Sequence, residues 1–147
     1  MTPADEYAYE EFCRRFGAVA PPKVFGNPSH CSECEEANRR LISLDREDIS
    51  AEFLRDSSSQ GCWFLSWMGF EGFCFFLPGI CRVAMENPAS NLGLFLDRLQ
   101  PEWVSQLAPK QIAALHDLLC YCRDCGYASD DLLRKELRSK IEATKPK

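Results

Sequence analysis

The middle of the chain limits what this sequence can fold into. Residues 62–85 carry only two charged side chains, Glu71 and Arg82, in a stretch of 24 residues. An apolar run of this length belongs either to a membrane span or to the centre of a hydrophobic core. Glu71 lies near its middle, three glycines and Pro78 interrupt it, and neither flank carries the basic residues that orient a span. We therefore expect residues 62–85 to form the buried core of a soluble protein.

Helix signals occur on both sides of this core segment. The first is Thr2-Pro3 followed by Asp5 and Glu6, which has the order of an N-cap, a first-turn proline and acids at the positive end of a helix. Similar capping residues and apolar side chains at helical spacing mark the others. The predicted helices are residues 3–16, residues 33–44 with Ser32 and Glu35 as a capping box, a short turn at 50–55, a helix between Pro88 and Gln100, a helix between Pro109 and Gly126, and a helix that begins at Ser129.

These elements predict a mainly α fold. We expect a compact single-domain helical bundle of about six helices with at most one short strand or hairpin, for which the CWFL segment at residues 62–65 is the candidate. The chain of 147 residues has the usual length of one domain and can bury a core without disulfides. The predicted domain is residues 1–147, in which residues 1–2 and 143–147 are flexible ends.

The start of the chain and its cysteines indicate a cellular location. Residues 1–6, MTPADE, carry acid where a secretory signal has a basic region followed by an apolar stretch. Nine cysteines are an odd number, and without an export signal they are better explained as reduced thiols than as a disulfide framework. We expect a cytoplasmic protein.

The charge distribution indicates the kind of partner. Residues 1–56 hold 12 acidic and 7 basic side chains, and the net charge of the chain is -5. Nucleic acid is disfavoured as a direct partner because phosphate binding requires a concentrated basic surface. The acidic surface is a candidate docking face for a basic partner, although many charge runs are only solvated. Its proposed partner-binding residues are Glu33, Glu35, Glu36, Asp45, Glu47, Asp48 and Glu52.

Two CxxC pairs are the candidate metal ligands. Cys31 with Cys34 and Cys122 with Cys125 provide four thiolates, which would complete a tetrahedral zinc site if the fold brought the pairs together. The alternative is that Cys34 and Cys122 lie in the apolar stripes of their helices and pack as small hydrophobic residues. The pairs are far apart in sequence, so we predict no metal and no cofactor.

Catalytic groups are few. A CxxC at a helix start can act in redox chemistry, but Glu33, Glu35 and Glu36 should raise the thiol pKa there. The histidines are His30 and His116, and His116 with Cys120 is more simply a histidine beside a packed thiol. No phosphate-binding glycine loop, HExxH or GxSxG motif occurs. We predict that the protein is not an enzyme.

Three segments resemble a family of small bacterial proteins of unknown function. They are HCSEC at residues 30–34, GFCFFLPG at 72–79 and LAPKQIAAL at 107–115. The family has an HCxEC segment, an aromatic GFxYYLP-like segment and an LTPEQxxAL-like helix start in this order. The resemblance covers roughly residues 20–140 and implies a bacterial, cytoplasmic, helical protein. The chain departs from the family pattern because a Trp-Asp-Pro before the aromatic segment is missing.

The functional prediction combines this resemblance with elimination. Among small, acidic, cytoplasmic bacterial proteins without catalytic residues, a recurrent role is that of an immunity protein. We predict a protein that binds a cognate, basic, secreted toxin and occludes its active site, with no contact to nucleic acid or membrane. The alternative is a zinc-stabilised structural or regulatory protein-interaction module that uses both CxxC pairs.

Overall fold

The computed structural model describes residues 1–55 and 67–128, and every regular element in these two ranges is helical. The prediction of a mainly α fold is confirmed. The candidate strand at residues 62–65, the helix that begins at Ser129 and the end at 143–147 lie outside the described residues. The α-helices are α1 (Pro3–Phe16), α2 (Ser32–Ile42), α3 (Ala51–Arg55), α4 (Gly69–Glu86), α5 (Pro88–Arg98), α6 (Pro101–Val104) and α7 (Pro109–Asp124), with a 3-10 turn at Arg46–Asp48.

Contacts along the chain divide it into two compact units. The first unit combines Met1–Ala18 with Ala84–Lys147, and the second is Val19–Val83. The prediction of one domain over residues 1–147 stays a prediction. Helix α1 has the predicted bounds, and the predicted stop of α7 is confirmed, since Gly126 follows the helix with a φ of 75°.

Helix α1 begins with a buried carboxylate in the first unit. Asp5 is only 2% exposed. Its carboxylate accepts hydrogen bonds from the Thr2 backbone N–H at 2.9 Å, the Tyr121 hydroxyl at 2.7 Å and the Tyr127 hydroxyl at 3.1 Å. Burial acts to raise the pKa of Asp5, but these hydrogen bonds outweigh it and hold the pKa below its ordinary value. The charged carboxylate therefore joins the start of α1 to the end of α7.

We expect Tyr121→Phe to lower the free energy of unfolding by about 1–2 kcal/mol at pH 7, because it removes a hydrogen bond to a buried charge. Asp5 has a lowered pKa in the folded state. Its contribution is therefore present above the unfolded-state pKa of about 3.9 and is lost as the pH falls through the folded-state pKa. Urea unfolding between pH 7 and about pH 3 should show the difference between the two proteins shrinking. Tyr7→Phe is the control, since Tyr7 is 71% exposed; an equal effect of both variants contradicts the prediction.

Helix α4 provides the core of the second unit. Every residue from 72 to 81 is buried, and Phe73, Phe76, Leu77 and Ile80 have no exposed surface. Within the described part of the predicted core segment 62–85, the prediction is confirmed for residues 72–81 and 83–85, whereas Glu71 is exposed. No helix in the described ranges combines the length and the apolar character needed to cross a membrane.

Two residues of α4 hold the 3-10 turn in place. A Cβ atom at Gly79 would lie 2.3 Å from the carbonyl oxygen of Arg46, so only glycine allows this approach. One helical turn further on, the Arg82 guanidinium donates hydrogen bonds to the carbonyl oxygens of Glu47 at 3.2 Å and Ile49 at 2.8 Å. Helix α4 thereby fixes the position of the acidic turn Arg46–Asp48.

Candidate functional site

The predicted acidic docking residues all lie in the second unit, and all but one are exposed. Helix α2 carries Glu33, Glu35 and Glu36, and α3 carries Glu52. The segment around the 3-10 turn carries Asp45, Glu47 and Asp48. Only Glu36 is half-buried. The exposed members are Glu33, Glu35, Asp45, Glu47, Asp48 and Glu52.

Some of these carboxylates already have partners. Glu36 forms ion pairs with Arg39 and Arg40, and the hydrogen bond from Arg40 is the main cause of its lowered pKa. Glu47 lies 3.5 Å from Arg46 Nε and 3.6 Å from Arg82 Nε. Solvent-exposed pairs of this kind contribute little to stability. They do reduce the charge that these carboxylates offer to a partner.

The remaining acidic side chains differ in their local roles. Asp48 Oδ2 accepts a hydrogen bond from the Asp45 backbone N–H at 2.8 Å and so caps the turn. No ion pair within residues 1–55 and 67–128 involves Glu33, Glu35 or Glu52. These three carboxylates have no ion pair among the described residues to break before they bind a basic partner.

The start of α2 brings one histidine and two cysteines together. The Sγ atoms of Cys31 and Cys34 are 3.4 Å apart, and His30 Nδ1 is 3.7 Å from Cys34 Sγ. One ligand atom from each residue lies within 4.8 Å of the other two. In the described part of the chain this is the one group of three or more histidine, cysteine or acidic residues that could hold a metal ion. Sequence analysis noted the CxxC spacing but did not count the preceding histidine among the metal ligands.

The N-cap of α2 differs from the prediction, and the difference shapes this group. Sequence analysis expected a helix at 33–44 capped by Ser32, but the helix runs from Ser32 to Ile42 and its N-cap is Cys31. The Cys31 thiol accepts a hydrogen bond from the Cys34 backbone N–H at 3.5 Å. A thiol in the N-cap position directs its sulfur towards the first turn, where the next cysteine lies.

The two thiols have different acidities. The hydrogen bond from the Cys34 backbone, followed by those from the His30 and Cys34 side chains, lowers the pKa of Cys31 to about 7. Burial and the Cys31 thiol raise the pKa of Cys34. The negative charge of Glu33 raises it further. The expectation that Glu33, Glu35 and Glu36 raise the thiol pKa is therefore wrong for Cys31. For Cys34 the pKa is raised, but mainly by burial and by the Cys31 thiol, and Glu33 makes only a smaller contribution.

The second CxxC pair has a different environment, in the first unit. Cys122 is only 1% exposed and its Sγ lies 3.7 Å from Met85 Sδ. Burial raises the pKa of Cys122 to about 12, whereas Cys125 is exposed. Cys122 thus packs as a small hydrophobic residue, as the alternative explanation of this pair expected.

The first unit contains a histidine beside a thiol and a small apolar groove. On α7, His116 Nε2 lies 3.7 Å from Cys120 Sγ, and His116 Nδ1 lies 3.3 Å from Asp117 Oδ1. An apolar groove of about 160 Å³ lies between α1 and α7, lined by Tyr7, Phe12, Leu118 and neighbouring residues. This volume is below the range of about 300–1,000 Å³ that is usual for small-molecule sites.

Comparisons with protein-family models, curated proteins and solved structures find no match to this chain. The resemblance in the HCSEC, GFCFFLPG and LAPKQIAAL segments therefore stays a prediction.

Proposed function

We propose that this chain is a stoichiometric protein-binding protein of the immunity type. It docks on the basic active-site cleft of a cognate secreted toxin and occludes it. The observation that carries the proposal is that Glu33, Glu35 and Glu52 are exposed and have no ion-pair partner among the described residues. A carboxylate without a partner can bind a lysine or arginine of another protein without first breaking an existing pair.

Electrostatic complementarity explains how such a surface would act. Opposite charges on two proteins steer their encounter and raise the association rate, and the effect falls as salt screens it. The acidic segment holds seven carboxylates and four basic side chains between residues 30 and 55, so its net charge is -3. A partner with a basic cleft matches this excess, whereas an acidic partner or a phosphate backbone is repelled.

The anchoring of the acidic turn supports the same proposal. Gly79 and Arg82 of α4 hold the backbone of the turn Arg46–Asp48. A surface that is already ordered loses less conformational entropy on binding than a mobile one. Asp45, Glu47 and Asp48 are thus presented on a fixed backbone, although the local contacts of Glu47 and Asp48 make them less direct test positions than Glu35 and Glu52.

Under this proposal the protein is bacterial and cytoplasmic, and it performs no catalysis. The alternative, a zinc-stabilised module that uses Cys31, Cys34, Cys122 and Cys125, also stays a proposal. The burial of Cys122 against Met85 favours packing rather than metal binding for that residue.

The first experiment is an affinity purification of the tagged chain from its native cells, followed by mass spectrometry and a measurement of stoichiometry. One basic, toxin-like protein recovered at about a one-to-one ratio supports the proposal. Recovery of no specific protein, or of an acidic one, contradicts it.

We expect the double variant Glu35→Gln, Glu52→Gln to associate with that partner about 3–10-fold more slowly at low ionic strength, because it loses two steering charges. Stopped-flow or surface-based kinetics at low and high salt would measure the change, which should shrink as salt rises. Glu10→Gln, Glu102→Gln is the matched control, since both residues are exposed acids of the other unit. Equal association rates for the double variant and the unmodified chain at low salt contradict the role of this surface.

A further inference from the structure

We propose that His30, Cys31 and Cys34 bind one zinc ion through three protein ligands and leave its fourth coordination position open to solvent. This site differs from the four-cysteine site considered from the sequence, because it uses His30 and excludes the second CxxC pair. The proposal does not depend on the acidic docking surface, and either can fail while the other stands.

The distances among the three ligand atoms match those in a tetrahedral zinc site. With zinc–sulfur bonds of about 2.3 Å and zinc–nitrogen bonds of about 2.0–2.1 Å, tetrahedral geometry places two sulfurs about 3.8 Å apart and a sulfur and a nitrogen about 3.6 Å apart. The Cys31 and Cys34 sulfurs are 3.4 Å apart, and His30 Nδ1 is 3.7 Å from Cys34 Sγ. The third pair, His30 and Cys31, has its ligand atoms within 4.8 Å of each other, so an ion can be coordinated with shifts of about 1 Å or less.

The backbone around the site positions the ligands before any ion binds. The turn before α2 places His30, whose backbone N–H donates a hydrogen bond to the Asn27 carbonyl oxygen at 3.1 Å. Cys31 is the N-cap of α2, and its carbonyl oxygen accepts the first helical hydrogen bond from the Glu35 backbone N–H at 3.0 Å. Cys34 lies in the first turn of the same helix. All three ligands therefore belong to one short segment with a defined backbone.

The donor set selects the class of metal. Thiolate sulfur and imidazole nitrogen favour zinc and related thiophilic ions, whereas calcium and magnesium require oxygen ligands. Two thiolates and one neutral imidazole balance the charge of bound Zn²⁺ and leave a neutral complex. The exposed carboxylates of Glu33 and Glu35 on the same helix add attraction for a cation.

The exposure of the site accounts for the open position. His30 is exposed, and Cys31 and Cys34 are half-buried, so an ion can enter from solvent. Among residues 1–55 and 67–128, no fourth histidine, cysteine or acidic residue lies close enough to join the group. Three protein ligands with a water molecule in the fourth position form the arrangement found in reactive zinc sites, whereas structural sites are closed by four protein ligands.

The competing explanation is a redox-active dithiol. Two sulfurs at 3.4 Å could also form a disulfide after reaction with an oxidant. His30 distinguishes the explanations, because a disulfide needs only the two cysteines, whereas the third ligand of a metal site must lie close to both sulfurs. The ring nitrogen of His30 occupies such a position.

The test uses the full chain, purified with a phosphine reductant, exchanged into zinc-buffered solution and analysed for metal by mass spectrometry. We expect about one zinc per chain. His30→Ala, Cys31→Ser and Cys34→Ser should each lose the zinc during exchange against a weak chelator. Cys125→Ser is the matched control, because it removes an exposed cysteine of the other CxxC pair and should retain the metal. Circular dichroism of each variant verifies that the helices are retained.

A second measurement on the unmodified chain does not depend on how the variants fold. Added zinc should slow the alkylation of Cys31 and Cys34, followed by peptide mass spectrometry, and should leave the alkylation of the exposed Cys125 unchanged. With Co²⁺ in place of zinc, the intensity of the visible bands should indicate tetrahedral coordination. Added imidazole should shift these bands by occupying the open position.

Four results would overturn the proposal. They are a reduced chain that takes up no zinc, zinc retained by all three ligand variants, zinc lost in Cys125→Ser as the four-cysteine site requires, and formation of a Cys31–Cys34 disulfide in air despite bound zinc. Cobalt bands that do not respond to imidazole would overturn the open fourth position.

Discussion

Phe76→Ala should lower the free energy of unfolding by about 3–5 kcal/mol, because it removes a large side chain from the centre of the second unit. Phe76 is fully buried, and its ring lies 5.5 Å from that of Phe25 and 4.9 Å from that of Phe75, measured between centroids. The Phe25 ring is stacked on it and the Phe75 ring meets it edge-on. Truncation would leave a cavity beside the rings of Phe25 and Phe75 that these rings cannot fill without moving.

Urea unfolding followed by circular dichroism measures this change through the transition midpoint at constant slope. Ile42→Ala is the control in the same unit, because Ile42 is 56% exposed and its truncation should change stability by no more than about 0.5 kcal/mol. A loss for Phe76→Ala as small as that of the control would show that α4 is not the core of this unit.

Gly79→Ala should lower the free energy of unfolding by about 1–3 kcal/mol, although alanine is the better helix former by about 1 kcal/mol. The added methyl group would lie 2.3 Å from the carbonyl oxygen of Arg46 and 3.2 Å from its carbonyl carbon. Both atoms belong to the backbone, so the contact can be relieved only if the 3-10 turn moves away from α4. We expect the same variant to weaken partner binding through the displaced acidic turn.

The chain contains a matched control for this prediction. Gly93 also lies within a helix, α5, but a Cβ atom there would meet nothing within 4 Å. Gly93→Ala should therefore stabilise the protein by about 0.5–1 kcal/mol, since it removes the entropic cost of glycine without a steric clash. Thermal or urea unfolding of the two variants should shift in opposite directions. A stabilising effect of Gly79→Ala would contradict the close approach between α4 and the turn.

The two functional proposals concern neighbouring parts of one helix. Helix α2 starts at the group of His30, Cys31 and Cys34 and carries the exposed carboxylate of Glu35. Two thiolates neutralise a bound Zn²⁺ ion, so metal binding changes the charge near this carboxylate only to the extent that a thiol was already ionised. Association kinetics should therefore be measured both with zinc and with a chelator, so that an effect of the metal is not assigned to the docking surface.

The sequence alone was sufficient for the features that depend on near neighbours in the chain. Capping by Thr2, the first-turn prolines and the terminal glycines predicted the bounds of α1 and the end of α7, because helix ends are decided within about four residues. Cys31 and Cys34 likewise come together because a residue at the start of a helix lies next to the residue three positions later. The choice of Cys31 rather than Ser32 as N-cap was not predictable, since both side chains can accept the backbone hydrogen bond.

Only the tertiary structure decided which distant residues pair with one another and which of two similar motifs is buried. Tyr121 bonds to Asp5 across 116 positions in the chain, and no local pattern indicates this pairing. Cys122 and Cys125 share the spacing of Cys31 and Cys34, yet Cys122 is buried against Met85 while His30 stands beside the first pair. The physical reason is that burial and partner choice depend on which distant segments pack together, and packing is a property of the whole chain rather than of any short segment.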